Sequence, residues 1–287
     1  MLQRSTIQLL RFPFSFLLLP VYLFALSQTL YTNWLDAVWV FFILHVLVYP
    51  ASNGYNGYMD QDTDAVGGIR HPLPPTRQLL QLVNAMDILA IALSLLVTPW
   101  FALGVVVYIA ASRAYSSRLI RLKRFAWSGF LLVMLCQGAL VFAMVYHGVH
   151  LRHPLHVPLS GCVASGLLLG GAYPLTQVYQ HRQDAADGVK TISIQLGIKG
   201  TFIFSALLFN AAFLALGLHF ALQLELDRFL YLLLFFLPVG LYFFFWARKV
   251  WKNSAAANYD NLMRMNWVSA ICSNAGFLFI LIWKLLD

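Results

Sequence analysis

The stretch "SNGYNGYMDQDTDAVGGIRHP", residues 52–72, places three aspartates at every second position directly behind a hydrophobic run. If the preceding helix continues through it, Asn56, Asp60 and Asp64 recur at i, i+4 and i+8 and form one stripe, which Asn53 extends backwards. Carboxylates and amide oxygens on one face repel each other unless a positive charge sits between them. No Lys or Arg lies within four residues of Asp60. Oxygen-only donors suit a hard cation, and Mg²⁺ is typically held by one or two carboxylates together with substrate phosphates. Asp62 points elsewhere on such a helix. Taken alone, "DQDTD" also reads as a solvated polar turn.

A second segment favours the chemical reading. In "YPLTQVYQHRQDAADGVKTISIQLG", residues 173–197, Thr176, Gln180 and Asp184 repeat at i+4, with Asp187 three residues on, then Gly188 and Lys190. Two such stripes at one membrane depth could face one another across a cavity and hold a diphosphate through bridging metal ions. Basic side chains would take the remaining phosphate charge. "AYSSRLIRLKRF", residues 114–125, supplies Arg118, Arg121, Lys123 and Arg124. Most of these read as anchors to the membrane surface. Arg70, Lys123 and Lys190 are the candidates for phosphate contact, because each follows or complements a motif.

The elements that must position these residues are membrane helices. Of the 287 residues 60% are hydrophobic and only 10% are charged, with a mean hydropathy of +0.72; a soluble domain carries charge on about a quarter of its residues. Apolar runs give nine candidate spans, near 12–31, 34–52, 79–97, 99–113, 126–146, 159–179, 201–222, 229–247 and 266–285. With the N-terminus inside, every one of the 19 Lys and Arg except Arg152, Arg228 and Lys284 falls in or beside a cytoplasmic segment. The N-terminus is therefore expected in the cytoplasm and the C-terminus on the opposite side. Both acid clusters then lie on the cytoplasmic face. The net charge of +8 has its cause in this bias, which argues against a nucleic-acid partner. The first apolar segment is longer than a signal-peptide core and is read as a retained span. Cys136, Cys162 and Cys272 fall inside apolar runs and read as packing residues.

Two further features invite function. Asp87 lies about two turns into the third span, where it either lines a cavity and orients an acceptor or is a paired structural acid. His147, His150, His153 and His156 recur at a spacing that would suit a transition metal. Pro154 interrupts any helix there and the loop lies opposite the acids, so a surface loop is the better reading.

Taken together, the motifs resemble the UbiA superfamily of intramembrane prenyltransferases. "NGYMDQDTD" keeps Asn56, Asp60 and Asp64 of that family's Asn-Asp-x-x-Asp-x-x-x-Asp motif. "RHPLPPTR" resembles its Arg-Pro-rich segment, "YSSRLIRLKR" its Tyr-Ser loop with Leu-Lys-Arg, and "DAADGVKTISIQLG" its Asp-x-x-x-Gly-x-x-Thr-x-x-x-x-Leu-Gly. The chain departs from the pattern at Gly57, Gln180 and Thr176, where the family carries or favours acids. A neutral amide still ligates Mg²⁺ or bonds phosphate but brings no charge, so metal affinity at the second site should fall.

The resemblance implies an all-α, nine-helix polytopic bundle, one domain over residues 1–287, with a central cavity open to the cytoplasm. It also implies Mg²⁺ as cofactor, held by Asn56, Asp60 and Asp64 and by Gln180, Asp184 and Asp187. Asp60, Asp64 and Asp184 would carry catalysis, while Arg70, Tyr115, Lys123, Lys190 and Gln180 would hold the diphosphate. The implied reaction is ionisation of an isoprenoid diphosphate and prenyl transfer to an acceptor within the lipid bilayer. A terpene cyclase of the same fold and a non-catalytic lipid-binding relative are the alternatives.

Overall fold

The computed structural model describes residues 2–286. Its helices are α1 (Arg4–Leu10), α2 (Leu19–Gln28), α3 (Trp34–Phe42), α4 (Tyr49–Asp60), α5 (Arg77–Ser94), α6 (Pro99–Ser116), α7 (Ala126–Val133), α8 (Val141–Val149), α9 (Leu159–Ala172), α10 (His181–Ala186), α11 (Ile192–Leu222), α12 (Leu226–Lys252) and α13 (Tyr259–Leu286). One two-residue strand, β1 (Lys190–Thr191), interrupts them. Among the described residues, six helices are long and apolar enough to cross a membrane, or seven if the bent pair Arg4–Leu17 and Leu19–Gln28 counts as one. The third and fourth crossings expected from sequence coincide with α5 and α6, which fall outside that set.

The span that carries the first acid cluster runs from Trp34 to Asp60, eight residues past the end expected from hydropathy. Asn33 starts it by accepting from the N–H groups of Leu35 and Asp36, and its own amide donates to the Asp36 carboxylate at 2.6 Å. Residues Ile43–Val48 are π-helical. Pro50 follows directly and has no N–H for the α-helical ladder, so one wider turn absorbs the mismatch. The helix then continues as α4 and stops at Gln61, which adopts a left-handed conformation (φ 53°).

Cα packing divides the chain into two compact units. The first comprises Met1–Leu18, Thr29–Leu122 and Met144–Leu155. Its core gathers Val40, Leu44, Tyr49, Leu79, Val83, Phe101 and Val105. Helix α1 lies along it as a strap: the Gln8 side chain accepts from the N–H of Leu73 (2.8 Å) and donates to the carbonyl of His71 (3.1 Å). The histidine tract closes the far end of this unit. His147 bonds the Thr98 hydroxyl (2.9 Å) and the Pro154 carbonyl (3.0 Å), and the His153 ring lies 3.6 Å from Asp36. His147 and His150 are buried in an internal clasp, while Leu151, Arg152, Leu155 and His156 form the exposed loop expected.

The second unit comprises Leu19–Gln28, Lys123–Ala143 and His156–Asp287. One core cluster joins Leu175, Phe202, Trp246, Val250 and Leu262. Another stacks Phe24 on Phe277 at 4.8 Å and beside Phe142 at 4.9 Å. Ser160, Gln28 and Gln223 surround the buried ring of His219, satisfying its nitrogens inside apolar surroundings. The three cysteines are free and half-buried.

Helix α11 kinks at Gly197, whose backbone (φ 68°, ψ 169°) is open only to glycine. No atom lies within 4 Å of where a Cβ would stand, so the requirement is purely conformational. Gly197→Ala should therefore cost about 1–3 kcal/mol, read as a lower thermal midpoint in detergent. Gly200→Ala, three residues on in regular helix, should lower it less, since its Cβ would meet the Leu196 Cβ at 3.3 Å but needs no unusual backbone conformation.

Candidate functional site

In the first unit the donors sit at the carboxyl end of α4. Asn53, Asn56 and Asp60 occupy its last turns, as the spacing predicted. Asp64 does not complete the stripe: the helix ends at Asp60, and Asp62 and Asp64 follow in the loop beyond. Gln61 turns the chain at a point where a non-glycine residue rarely does, which helical periodicity could not register. The negative pole of α4 and the Asp60 carboxylate thus coincide, and both favour a cation. Arg118 is the cation the chain itself supplies there, its guanidinium donating to the carbonyls of Met59 (2.8 Å) and Asp60 (3.5 Å).

Helix α6 holds this end of α4 in register. The hydroxyls of Ser52 and Ser112 bond at 2.6 Å, and the Asn56 amide donates to Ser116 Oγ at 3.0 Å. Both pairs rise in the same direction, so the two helices run parallel at this contact. With its NH₂ group donating to Ser116, Asn56 has its carbonyl oxygen left for a ligand. Asn53 adds a buried NH₂ group that has no acceptor, and such a donor suits a phosphate oxygen. Tyr115 stands one residue before Ser116 on α6.

The loop after the acids is fastened to α1 and α4. Arg11 donates to the carbonyls of Gly67 and Asn53, each at 3.3 Å. Val66 and Ile69 exchange backbone hydrogen bonds around Gly67 and Gly68. Arg70 follows that turn and is exposed. Arg11 was legible only as a charged lead to the first apolar segment, because its partners lie more than 40 residues away in sequence.

Asp87 is a paired acid. It is buried on α5 and receives Nε (3.0 Å) and Nη2 of Arg113, whose guanidinium lies 3.8 Å above the ring of Tyr55. The available signal for Arg113 was an isolated base in the span after the one holding an isolated acid.

The second cluster belongs to the second unit and is less regular than expected. Residues Tyr173–Gln177 form a 3₁₀ turn, in which Pro174 cannot continue the ladder of α9, and α10 begins afresh after Gln180. Thr176, Gln180 and Asp184 therefore share no continuous α-helix. Thr176 donates to the carbonyl of Tyr173 at 2.7 Å, Gln180 is the N-cap of α10, Asp184 lies in its first turn and Asp187 at its C-cap. Gly188 (φ 68°) then reverses the chain. Lys190 enters β1, which pairs with Phe125 and Ala126, so the segment following Lys123 runs beside Lys190. Thr191 caps α11 by accepting from the N–H of Ile194.

A buried polar chain braces this segment. Gln177 accepts from the Ser193 N–H (3.3 Å), Thr201 donates to the Gly197 carbonyl (2.7 Å), and Ser193 Oγ lies 3.0 Å from Thr201 and 2.7 Å from His181 Nε2. The Thr201 proton is committed to Gly197, so Ser193 donates to Thr201 and His181 donates to Ser193 through Nε2. Burial pushes the His181 imidazole below its ordinary range.

Among the described residues no three His, Cys, Asp or Glu side chains converge as for a protein-only metal cage. A hard cation held partly by substrate oxygens needs no such cage. The oxygen donors at the negative pole of α4 fit that kind of ion, with Gln180, Asp184 and Asp187 as a weaker second set.

A family model described as the UbiA prenyltransferase family matches residues 16–270. The chain belongs to the UbiA prenyltransferase family. The chain is 36% identical over 98 residues to the bacteriochlorophyll synthase 33 kDa chain of Cereibacter sphaeroides, a match covering 33% of this chain and 32% of that protein. The fold is that of a UbiA homologue from Archaeoglobus fulgidus solved with DMAPP and Mg²⁺ (TM-score 0.69, 18% identity, 96% of this chain and 99% of that one). A digeranylgeranylglyceryl phosphate synthase superposes with a TM-score of 0.63 at 17% identity over 99% of both chains. The apo UbiA homologue of Aeropyrum pernix K1 gives 0.67 at 18% identity over 94% of this chain and 98% of that one. The protein is thus a polytopic, all-α member of this family.

Ser193→Ala should cost about 1–3 kcal/mol, because it strips the partners from His181 and Thr201; thermal unfolding in detergent measures it. His181 binds its proton less readily in the folded protein than in the unfolded chain. Its contribution is present above the ordinary imidazole value and is lost as pH falls below it. Proteolysis of residues 177–193 should speed up between about pH 7.5 and about pH 5.5, and less so in His181→Gln.

Proposed function

We propose that this chain is a Mg²⁺-dependent intramembrane prenyltransferase that ionises an isoprenoid diphosphate and passes the prenyl group to a lipophilic or aromatic acceptor. One observation carries the reading: an array of amide and carboxylate oxygens stands at the negative pole of a membrane-spanning helix, with an arginine bonded to the same helix end. Family membership and the solution of an Archaeoglobus homologue with DMAPP, with GPP and with Mg²⁺ support it.

In this reading Asn56, Asp60 and Asp64 hold one Mg²⁺, and Gln180, Asp184 and Asp187 hold another. Bound there, Mg²⁺ would draw charge onto the leaving diphosphate. Arg70, Lys123, Lys190, Tyr115 and Gln180 bind the diphosphate oxygens and keep them oriented while the carbon–oxygen bond breaks with its electron pair on oxygen. The acceptor captures the allylic cation and loses a proton. The whole chain acts as one prenyltransferase domain with nine membrane crossings. Its N-terminus and both acid clusters face the cytoplasm, and its C-terminus faces the opposite side.

One observation favours a second ending. The second cluster lacks the family's extra acids, and the Thr176 hydroxyl is committed to its own backbone. A cation that closes on its own chain needs no acceptor, so a cyclase of the same fold has some support.

Purified protein should release diphosphate from farnesyl or geranylgeranyl diphosphate with Mg²⁺ and membrane extract, and release should stop with chelator. Asp60→Ala should slow it roughly 100- to 1,000-fold, and Asp184→Ala should raise the Mg²⁺ requirement. A cyclised hydrocarbon or terpene alcohol formed without acceptor would replace the transferase reading with the cyclase. No release from any donor by folded protein would sink both.

A further inference from the structure

Helix α4 must end at a defined depth and rotation for its donors to meet a ligand together. Its two hydroxyl contacts with α6 are weak and local. The strong contact at the same level is the guanidinium of Arg113, whose Cζ lies 3.8 Å from the centroid of the Tyr55 ring, between the two serine-level contacts. A guanidinium at this position needs a counter-charge, and Asp87 supplies it from α5 through two donors on one carboxylate oxygen. The fork leaves Nη1 buried without a partner. The side chain therefore has one tether to α5 and one aromatic surface on α4. Swivelling away would leave the Asp87 carboxylate buried and unpaired.

We propose that Asp87 and Arg113 are positioning residues for the first acid cluster: Asp87 holds the guanidinium against Tyr55, and that stack sets the register of α4 on α6, hence the placement of Asn56 and Asp60. The assignment rests on the metal-dependent reading of that cluster given above. In this role both act through α4. A lysine at 113 would keep the charge but lose both the planar stack and the two-donor fork.

The test uses the full chain in detergent and two readouts that need no turnover. In a background without Cys136, Cys162 and Cys272, Ser52→Cys with Ser112→Cys reports the α4–α6 register through disulfide yield. Mn²⁺ with inorganic pyrophosphate, followed by electron paramagnetic resonance, reports metal binding. Each is compared for the parent, Arg113→Lys, and the double variant Asp87→Leu with Arg113→Met, which removes both charges and so avoids an unpaired buried ion. Both variants should lower the disulfide yield severalfold and weaken Mn²⁺ binding roughly 10- to 100-fold. Diphosphate release should show a raised Mg²⁺ half-saturation with the saturated rate largely retained.

Parental disulfide yield in the folded double variant would overturn the proposal. So would a lowered yield with unchanged Mn²⁺ binding, since the pair would then be a structural brace alone, and so would a parent that binds no Mn²⁺. A parent that binds Mn²⁺ but releases no diphosphate would sink the prenyl-transfer reading instead, while the Mn²⁺ and disulfide comparisons still decide the pair's role.

Discussion

Helix α4 carries Asn53, Asn56 and Asp60 on the last turns of a membrane span, and the rest of the first unit is arranged to keep that end in place. A span must satisfy its own backbone in lipid, so it continues as helix until its carbonyls reach other partners. Here Arg118 meets the final carbonyls and Gln61 turns the chain away. Helix α6 supplies Ser112 and Ser116, α5 holds Arg113 through Asp87, and α1 fastens the following loop through Gln8 and Arg11. The contacts of Ser112, Ser116, Arg113 and Arg11 are partly buried, where a lost partner costs more than it would in water.

The second unit positions its acids differently. Pro174 breaks the helix, α10 is short, and Gly188 reverses the chain into a two-residue strand. The brace is a chain of hydroxyl, amide and imidazole groups running from Gln177 through Ser193 to Thr201. Several features of the family pattern here are backbone devices. Gly197 takes a conformation closed to other residues, Gly188 has a positive φ that favours glycine, and Thr191 caps a helix. The two clusters of one family thus rest on different supports, a straight helix end in one and a braced turn in the other.

Polar residues away from the acids have structural work of their own. His147 and His153 are bonded within the clasp they form, and His219 is enclosed by Gln28, Gln223 and Ser160. Regular spacing of histidines suggested metal chelation because their nitrogens were counted as available. Contacts with Thr98, Pro154 and Asp36 use nitrogens of His147 and His153 instead.

By itself the sequence determined the class of protein, an all-α polytopic member of its family. Long apolar runs admit only helices in lipid, and acids without nearby bases require a cation. Asn53, Asn56 and Asp60 share a helix end because a 3.6-residue period is a local property. What only the tertiary structure decided depends on partners far away in the chain. Asp64 leaves the helix because Gln61 turns left-handed, and the expected second stripe breaks at a 3₁₀ turn. Asp87 proves to be a paired acid because Arg113, 26 residues on, reaches it. Which polar atoms are committed and which stay open to a ligand is set by such contacts, and a periodicity in one helix carries no information about its neighbour.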